Sequence, residues 1–168
     1  MHKTIITKKI YQKQLLVKRI FKGPLNLVWR AWTTSELLDK WWAPKPWKTK
    51  TKSMDFREGG RWLYSMDGPG GEKHWCRADY LKIVTENLFE VQDAFCDEEG
   101  NDNSDIPSMH WNVRFTENES GTRVDVTISF PSKEALEKII AMGFKEGFTM
   151  AHSNLDEVLE GLLAETHE

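Results

Sequence analysis

The sequence predicts an α+β domain in which an antiparallel sheet is covered by one long C-terminal helix. Three observations carry this prediction. One strand-like segment and two short helical segments are followed by six more strand-like segments with turn residues between them. A stripe of apolar residues at helical spacing then runs from about 144 to 165. An antiparallel sheet with one apolar face needs a cover, and this amphipathic segment can supply it.

Length and composition fit a single ordinary domain. The chain has 168 residues, of which 39% are hydrophobic and 29% charged, and a domain of this size forms a core without disulfides or metals. It contains no apolar run of about 18 residues and no apolar stretch near the N-terminus that is typical of a secretory signal. We therefore expect a cytoplasmic protein without a membrane span. Cys76 and Cys96 belong to no CxxC pair, which disfavours structural zinc and thioredoxin-like chemistry, and they lie in apolar or aromatic strand-like segments, so we expect reduced, mostly buried thiols.

The charge is unevenly distributed along the chain. Residues 1–52 carry 13 of the 23 Lys and Arg residues and only 2 of the 26 acidic ones. A basic end is also typical of nucleic-acid binding, but the chain has no zinc-finger spacing, helix-turn-helix signal or RNA-binding aromatic motif. We interpret the asymmetry as solvated lysines and as two segments that face each other when folded, with no nucleic-acid partner.

The N-terminal third predicts one strand and two short helices. The strand covers residues 15–22 and ends before Pro24, which fits the first turn of a helix because its missing N–H costs little there. Apolar residues at helical spacing continue through Trp32. Ser35 is a typical N-cap for a second short helix, which ends before Pro44.

Six further strands are predicted before the C-terminal helices, and Gly, Asn and Ser residues typical of turns separate most of them. Two of these strands alternate clearly between apolar and polar residues, which indicates one buried face. A helix follows with Ser132 as its N-cap, and Gly143 separates it from the long final helix. The six strands cover residues 48–57, 61–67, 74–84, 88–96, 109–117 and 122–130.

Short motifs occur in a fixed order along nearly the whole chain. They are Arg19-Ile-Phe21, Val28-Trp29-x-Ala31-Trp32-Thr33, Trp41-Trp42-x-Pro44, Asp55-x-Arg57-x-Gly59-Gly60-x-Trp62, Gly143-Phe-x-Glu146-Gly147 and Asn154-Leu155-Asp156-x-Val158-Leu159. The ordered set resembles the AHSA1-like family, which is related to the activator of the Hsp90 ATPase, within the START-like (SRPBCC) superfamily.

This resemblance implies a helix-grip (START/Bet v 1-like) fold over residues 14–165. In that fold a seven-stranded antiparallel sheet curves around the long C-terminal helix, and two short helices follow the first strand. Residues 1–13 are then a basic tail or a strand extension, and residues 166–168 form a C-terminal tail.

The resemblance also implies a cavity between the sheet and the long helix, where similar helix-grip proteins hold apolar or amphipathic ligands. Aromatic walls with a few polar tips suit an aromatic or lipid-like ligand. The alternative is that the large side chains fill this space. The predicted lining residues are Trp62, Tyr64, Met66, Cys76, Ala78, Tyr80, Phe89, Val91, Phe95, Met109, Trp111, Val113, Phe115, Phe144, Phe148, Ala151, His152 and Leu155.

The sequence offers no constellation for catalysis, metal binding or a cofactor. The five histidines form no HxH, HxxxH or HExxH pattern, and no GxSxG or phosphate-loop motif is present. We interpret Asp55, Asp79 and Asp93, which lie within strand-like segments, as salt-bridged or exposed carboxylates. Arg19 alternates with apolar residues, so we expect it to be buried against a carboxylate.

The sequence therefore favours a non-enzymatic protein, monomeric or homodimeric, that binds a small hydrophobic, aromatic or lipid-like ligand. One alternative is an interaction module similar to the Hsp90 ATPase activator domain, with a chaperone or another protein as its partner. A third interpretation, an enzyme or a sacrificial resistance protein of the superfamily, ranks last because no catalytic residues support it.

Overall fold

A computed structural model describes residues 2–166 of the protein. Over these residues the chain forms one antiparallel sheet and four α-helices. The strands are β1 (Ile5–Lys9), β2 (Gln14–Phe21), β3 (Lys48–Met54), β4 (Arg61–Asp67), β5 (Lys73–Val84), β6 (Leu88–Cys96), β7 (Met109–Asn118) and β8 (Gly121–Ser129). The helices are α1 (Leu25–Thr33), α2 (Ser35–Trp41), α3 (Lys133–Ala141) and α4 (Phe144–Thr166). The strand order across the sheet is β1-β2-β8-β7-β6-β5-β4-β3.

The sheet has eight strands, so the prediction of seven is wrong. The additional strand, β1, comes from the basic N-terminal segment and pairs with β2 through a 3-10 turn at Ile10–Gln12. Sequence periodicity did not reveal it because four of its five residues are exposed and it has no buried face. β1 is an edge strand, and lysines on such an edge discourage pairing with another chain.

The long helix α4 supplies the inner cover of the sheet. It contributes Phe148, Ala151, Leu155 and Leu159 to the core, each of them at most 6% exposed. It continues through Thr166, whereas the rest of the predicted tail, residues 167–168, lies outside the described residues. None of the described helices is sufficiently long and apolar to cross a membrane.

An ion pair fixes β2 to α4. Arg19, which is 6% exposed, donates from its two terminal nitrogens to the carboxylate oxygens of Asp156 at 3.0 and 2.5 Å. The expectation of a buried arginine with a carboxylate partner is therefore confirmed. Two parallel hydrogen bonds constrain direction as well as distance, so this pair restrains α4 against β2.

The two short helices close one end of the space between the sheet and α4. The Trp41 indole donates to the carbonyl oxygen of Ala31 at 2.9 Å, which joins α2 to α1. The Asn154 side chain of α4 donates to the carbonyl oxygen of Ala43 at 2.9 Å. Together these bonds hold a tryptophan-rich plug over one end of the sheet and leave the other end to be covered by α3 and the start of α4.

Candidate functional site

A cavity of about 210 Å³ lies between the sheet and the junction of α3 with α4. Strands β4 to β7 form one side, and the first turns of α4 form the other. Met142, which is 52% exposed, marks the mouth. The walls consist of Trp42, Pro44, Tyr64, Met66, Cys76, Asp93, Phe95, Met109, Trp111, Ile139, Met142, Gly143, Phe144, Gly147 and Phe148.

A second, smaller cavity of about 30 Å³ lies on the side of the helical plug. Trp32 and Leu38 of the short helices contribute to its walls. It shares four lining residues with the larger cavity, which are Trp42, Tyr64, Asp93 and Trp111. The indole N–H of Trp42 donates to the Tyr64 hydroxyl at 3.0 Å, so two of the shared walls are fixed to each other.

The eighteen residues predicted to line a cavity fall into three groups. Eight line the larger cavity: Tyr64, Met66, Cys76, Phe95, Met109, Trp111, Phe144 and Phe148. Six reach the smaller cavity alone: Trp62, Ala78, Tyr80, Phe89, Val91 and Val113. The other four line neither cavity and lie in the packed interior: Phe115, Ala151, His152 and Leu155.

The interior is filled near His152 because Trp32 enters it from α1. The Trp32 ring makes edge contacts with Phe115, Phe148 and His152, with centroids 6.0 to 6.4 Å apart. Thr4, which precedes β1, is hydrogen-bonded through its hydroxyl to Nδ1 of His152 at 2.8 Å. Burial lowers the His152 pKa to about 3, and the nearby Arg19 charge acts in the same direction. His152 is therefore a neutral core residue and not a polar tip of a ligand site.

Sequence reasoning missed seven residues of the larger cavity, and the most informative of them is Asp93. On β6, Asp93 stands between Val91 and Phe95 on the inward face. Asp79 and Asp55 are salt-bridged to arginines as expected, but within residues 2–166 no basic group forms an ion pair with Asp93. The period-two alternation of β6 was the signal that could have identified it. The missed residues are Trp42, Pro44, Asp93, Ile139, Met142, Gly143 and Gly147.

The environment of Asp93 strongly disfavours its charged form. Burial raises its pKa to about 7, and repulsion from Asp79 adds to the rise. The backbone N–H of Ala94, the Arg77 charge and the Trp111 indole oppose this shift only in part. At neutral pH the carboxyl therefore exists in both protonation states.

Three further polar groups lie at the same part of the cavity wall. Burial raises the pKa values of the Tyr64 hydroxyl and the Cys76 thiol well above their usual ranges, so both stay neutral. A neutral thiol is a poor nucleophile. The buried indole nitrogen of Trp111 has no hydrogen-bond acceptor among the described residues. We refer to Tyr64, Cys76, Asp93 and Trp111 as the polar cluster.

The cavity wall combines a large apolar surface with one polar region. Most of the cavity wall is aromatic or aliphatic, and its polar groups are concentrated in the polar cluster. Within residues 2–166 no three His, Cys, Asp or Glu side chains form a group suited to a metal ion. The arrangement can hold an apolar body and satisfy a single polar substituent.

The family model of the activator of Hsp90 ATPase homolog 1-like proteins matches residues 22–160. The chain belongs to this family. The resemblance found in the sequence motifs is therefore confirmed, as are an α+β fold with an antiparallel sheet and a C-terminal helix consistent with the helix grip. A search of the curated proteins gave no match.

Solved structures of bacterial proteins share this AHSA1-like fold. A crystal structure from Mycobacterium smegmatis is 30% identical in sequence, has a TM-score of 0.86, and the match covers 93% of this chain and 96% of that one. A solution structure from Arthrobacter aurescens is 27% identical with a TM-score of 0.88 and coverages of 94% and 91%. A crystal structure from Nitrosomonas europaea is 29% identical with a TM-score of 0.80 and coverages of 91% and 97%.

Proposed function

We propose that this AHSA1-like protein binds a small, mostly apolar aromatic ligand in the larger cavity and catalyses no reaction on it. The observation that carries the proposal is an open space of about 210 Å³ in an interior that aromatic side chains otherwise fill. An apolar cavity of about 150 Å³ in another protein is known to bind benzene. The present space therefore suits a ligand of one or two rings.

The walls offer ring faces and edges for such a ligand. The Trp111 ring lies 5.7 Å from Trp42 and 5.4 Å from Phe148 between centroids, and Phe144 stacks on Phe148 at 5.3 Å. Aromatic pairs at such separations gain stability beyond simple area burial. Met66, Met109 and Met142 also line the cavity, and their flexible thioethers adapt to irregular ligand shapes.

Naphthalene is the simplest probe of this proposal. A ligand that binds only the folded state raises the melting temperature, by an amount that grows with the logarithm of its free concentration above the dissociation constant. We expect naphthalene to raise the melting temperature of the protein and to give saturable heat in calorimetric titration. A protein that shows neither effect near the solubility limit of naphthalene would contradict the proposal.

A matched pair of glycine variants locates the binding. Gly147 lines the cavity on α4, and an added Cβ there meets only Pro44 at 3.6 Å, so Gly147→Leu places its side chain in the cavity. Gly161, on the same helix, is exposed with nothing within 4 Å of an added Cβ. Both substitutions gain helix propensity of about 0.7 kcal/mol. We expect Gly147→Leu to abolish naphthalene binding and Gly161→Leu to retain it.

A role as a protein-interaction module gives a different result. Binding of a chaperone to the outer surface would be unaffected by filling an internal cavity. If Gly147→Leu and Gly161→Leu both bind naphthalene as well as the unmodified protein, the site has been placed wrongly. If neither the unmodified protein nor Gly161→Leu binds it, while the purified protein stimulates Hsp90 ATPase activity, the interaction role replaces this proposal.

A further inference from the structure

We infer that the larger cavity selects aromatic ligands bearing a ring hydroxyl, which donates to the Asp93 carboxylate and accepts from the Trp111 indole N–H. This inference rests on the proposed function and specifies the ligand class for the same site. An indole N–H without an acceptor and a carboxyl without an ion-pair partner among the described residues, both at the cavity wall, carry it.

Trp111 supplies a donor that lacks an acceptor. Its side chain is 3% exposed, it lines both cavities, and its Nε1 has no hydrogen-bond partner in residues 2–166. A buried N–H left without an acceptor is destabilising, and such groups are rare in folded proteins. Its neighbour Trp42 differs, because the Trp42 N–H already donates to the Tyr64 hydroxyl at 3.0 Å. The cavity therefore holds one indole N–H that is satisfied and one that is not.

Asp93 supplies the complementary acceptor. It lines the same two cavities as Trp111 and forms no ion pair within the described residues. The Trp111 indole N–H lies close enough to the Asp93 carboxyl to stabilise its charged form but does not meet the distance and angle of a hydrogen bond to it, so the two groups face one small region of the wall. A hydroxyl is the smallest group that donates and accepts on a single atom, and it can satisfy both at once.

Other common ligand groups match this pair less well. A carboxylate would bring a second negative charge beside Asp93 in a poorly solvated site. An ammonium group has no acceptor for the Trp111 N–H. A carbonyl oxygen has no hydrogen for Asp93 at pH 7.5, where the carboxyl is mostly ionised because its pKa is about 7. A phenolic hydroxyl has a pKa near 10 and stays neutral at pH 7, so it enters an apolar cavity uncharged.

Comparing 2-naphthol with naphthalene isolates the hydroxyl. A purely apolar cavity prefers naphthalene, because burying a hydroxyl without partners costs free energy. Hydrogen bonds to a charged group reverse this preference. By calorimetric titration at pH 7.5 we expect 2-naphthol to bind about tenfold or more tightly than naphthalene.

Three variants assign the preference to the two groups. Asp93→Leu removes the acceptor and Trp111→Phe removes the donor, and in each we expect the affinity ratio of 2-naphthol to naphthalene to fall to one or below. Gly161→Leu is the control, because Gly161 is exposed on α4 and lines neither cavity, and we expect its ratio to stay near that of the unmodified protein. The use of ratios removes the effect that a change in cavity size has on the ring system shared by the two probes, and if Trp111→Phe fails to fold, Asp93→Leu decides alone.

The NMR signal of the Trp111 indole N–H tests the proposed hydrogen bond directly. In ¹⁵N-correlated NMR spectra, the Trp111 indole signal, assigned from its absence in Trp111→Phe, should move downfield with 2-naphthol and far less with naphthalene. Equal or weaker binding of 2-naphthol by the unmodified protein overturns the hydroxyl preference but leaves the proposed function standing. Binding of neither compound overturns both.

Discussion

At the scale of single residues, Asp93 occupies an inward position on β6 whose neighbours on the same face are Val91 and Phe95. Only the alternation of its strand distinguishes it from Asp79 on β5, which points outward into two arginine salt bridges. The different chemistry of the two carboxyls comes entirely from which face of the sheet each one occupies. Strand register therefore decides which carboxylate belongs to the candidate site.

The raised pKa of Asp93 predicts a pH-dependent stability difference. Because the folded pKa of Asp93, about 7, lies above the ordinary aspartate value of 3.8, the folded protein retains a proton that the unfolded chain loses between about pH 4 and 7. The contribution of Asp93 to the free energy of unfolding is therefore fully present below about pH 4. It is lost as the pH rises to about 7, by on the order of 2–4 kcal/mol.

The variant Asp93→Asn cannot ionise and avoids this loss. Its free energy of unfolding, relative to the unmodified protein, should rise between pH 5 and pH 8 when both are unfolded in urea. Arg77, Asp79, Tyr64 and Cys76, which also act on or lie beside Asp93, are unchanged in the comparison. A difference that does not vary with pH would show that Asp93 is solvated and not buried.

The Arg19–Asp156 pair predicts that substitutions at two adjacent positions of α4 cause very different losses of stability. Asp156→Ala leaves a nearly buried guanidinium without its carboxylate, and we expect it to lower the free energy of unfolding by about 1–3 kcal/mol. This loss is smaller than for a fully buried pair because the Asp156 side chain is 41% exposed. Glu157→Ala removes an exposed partner of Lys45 and should cost below about 0.5 kcal/mol. Equal losses in thermal or urea unfolding would argue against Arg19 as the anchor of α4.

At the scale of elements, the alternation of apolar and polar residues and the turn residues between segments predicted most of the strands. The predicted ranges 61–67 and 88–96 coincide with β4 and β6, because each has apolar residues on its inner face and a turn at each end. The range 48–57 extended too far, since residues 55–60 form a turn in which the N–H of Gly60 bonds the carbonyl of Arg57. Periodicity could not reveal β1, whose stability comes from backbone pairing with β2 and not from a buried face.

Because β1 covers the edge of β2, its removal should change the stability and the self-association of the protein. Deleting residues 1–9 exposes the edge of β2 and removes the bond between Thr4 and His152. We expect lower thermal stability and concentration-dependent self-association, because an unprotected strand edge is a template for pairing with another chain.

The single substitution Thr4→Val separates the two effects. It retains β1 and loses only the hydrogen bond, for which we expect a cost of about 1 kcal/mol and no self-association in light scattering. A deletion variant that stays monomeric with an unchanged melting temperature would show that β1 adds nothing to the domain.

The candidate site was predictable only in part, for reasons visible at the level of elements. Alternation on the strands identified wall residues such as Tyr64, Met109 and Trp111 correctly as inward-facing. It could not show that Trp32 crosses from α1 to fill the space beside His152, because contacts between distant elements leave no local pattern. For the same reason Trp42 and Gly147 were not recognised as walls.

At the scale of the whole molecule, the charge asymmetry resolves into contacts between the two parts of the chain. Lys8 pairs with Glu137 at 3.0 Å, and Lys45 pairs with Glu157 at 2.7 Å. The basic first 52 residues thus face acidic positions of the C-terminal helices, as the sequence interpretation expected. These pairs are exposed and individually weak.

In the whole molecule, the space between the sheet and α4 is filled with side chains at one end and open at the other. The tryptophans of α1 and α2 pack the filled end, while α3 and the start of α4 leave a space over β4 to β7. This division is the physical basis of the proposed ligand binding. The unmodified protein is expected to present the open end to a small aromatic molecule without unfolding.

Methionine methyl groups provide the most direct test of that claim. Met66, Met109 and Met142 line the cavity, whereas Met54 and Met150 lie outside it. In protein labelled with ¹³C at the methionine methyls, naphthalene should shift the signals of the three lining residues and give intermolecular NOEs to them, with Met54 and Met150 unchanged. Naphthalene that leaves all of these signals unmoved, or that contacts only Met54 or Met150, would contradict binding in the cavity.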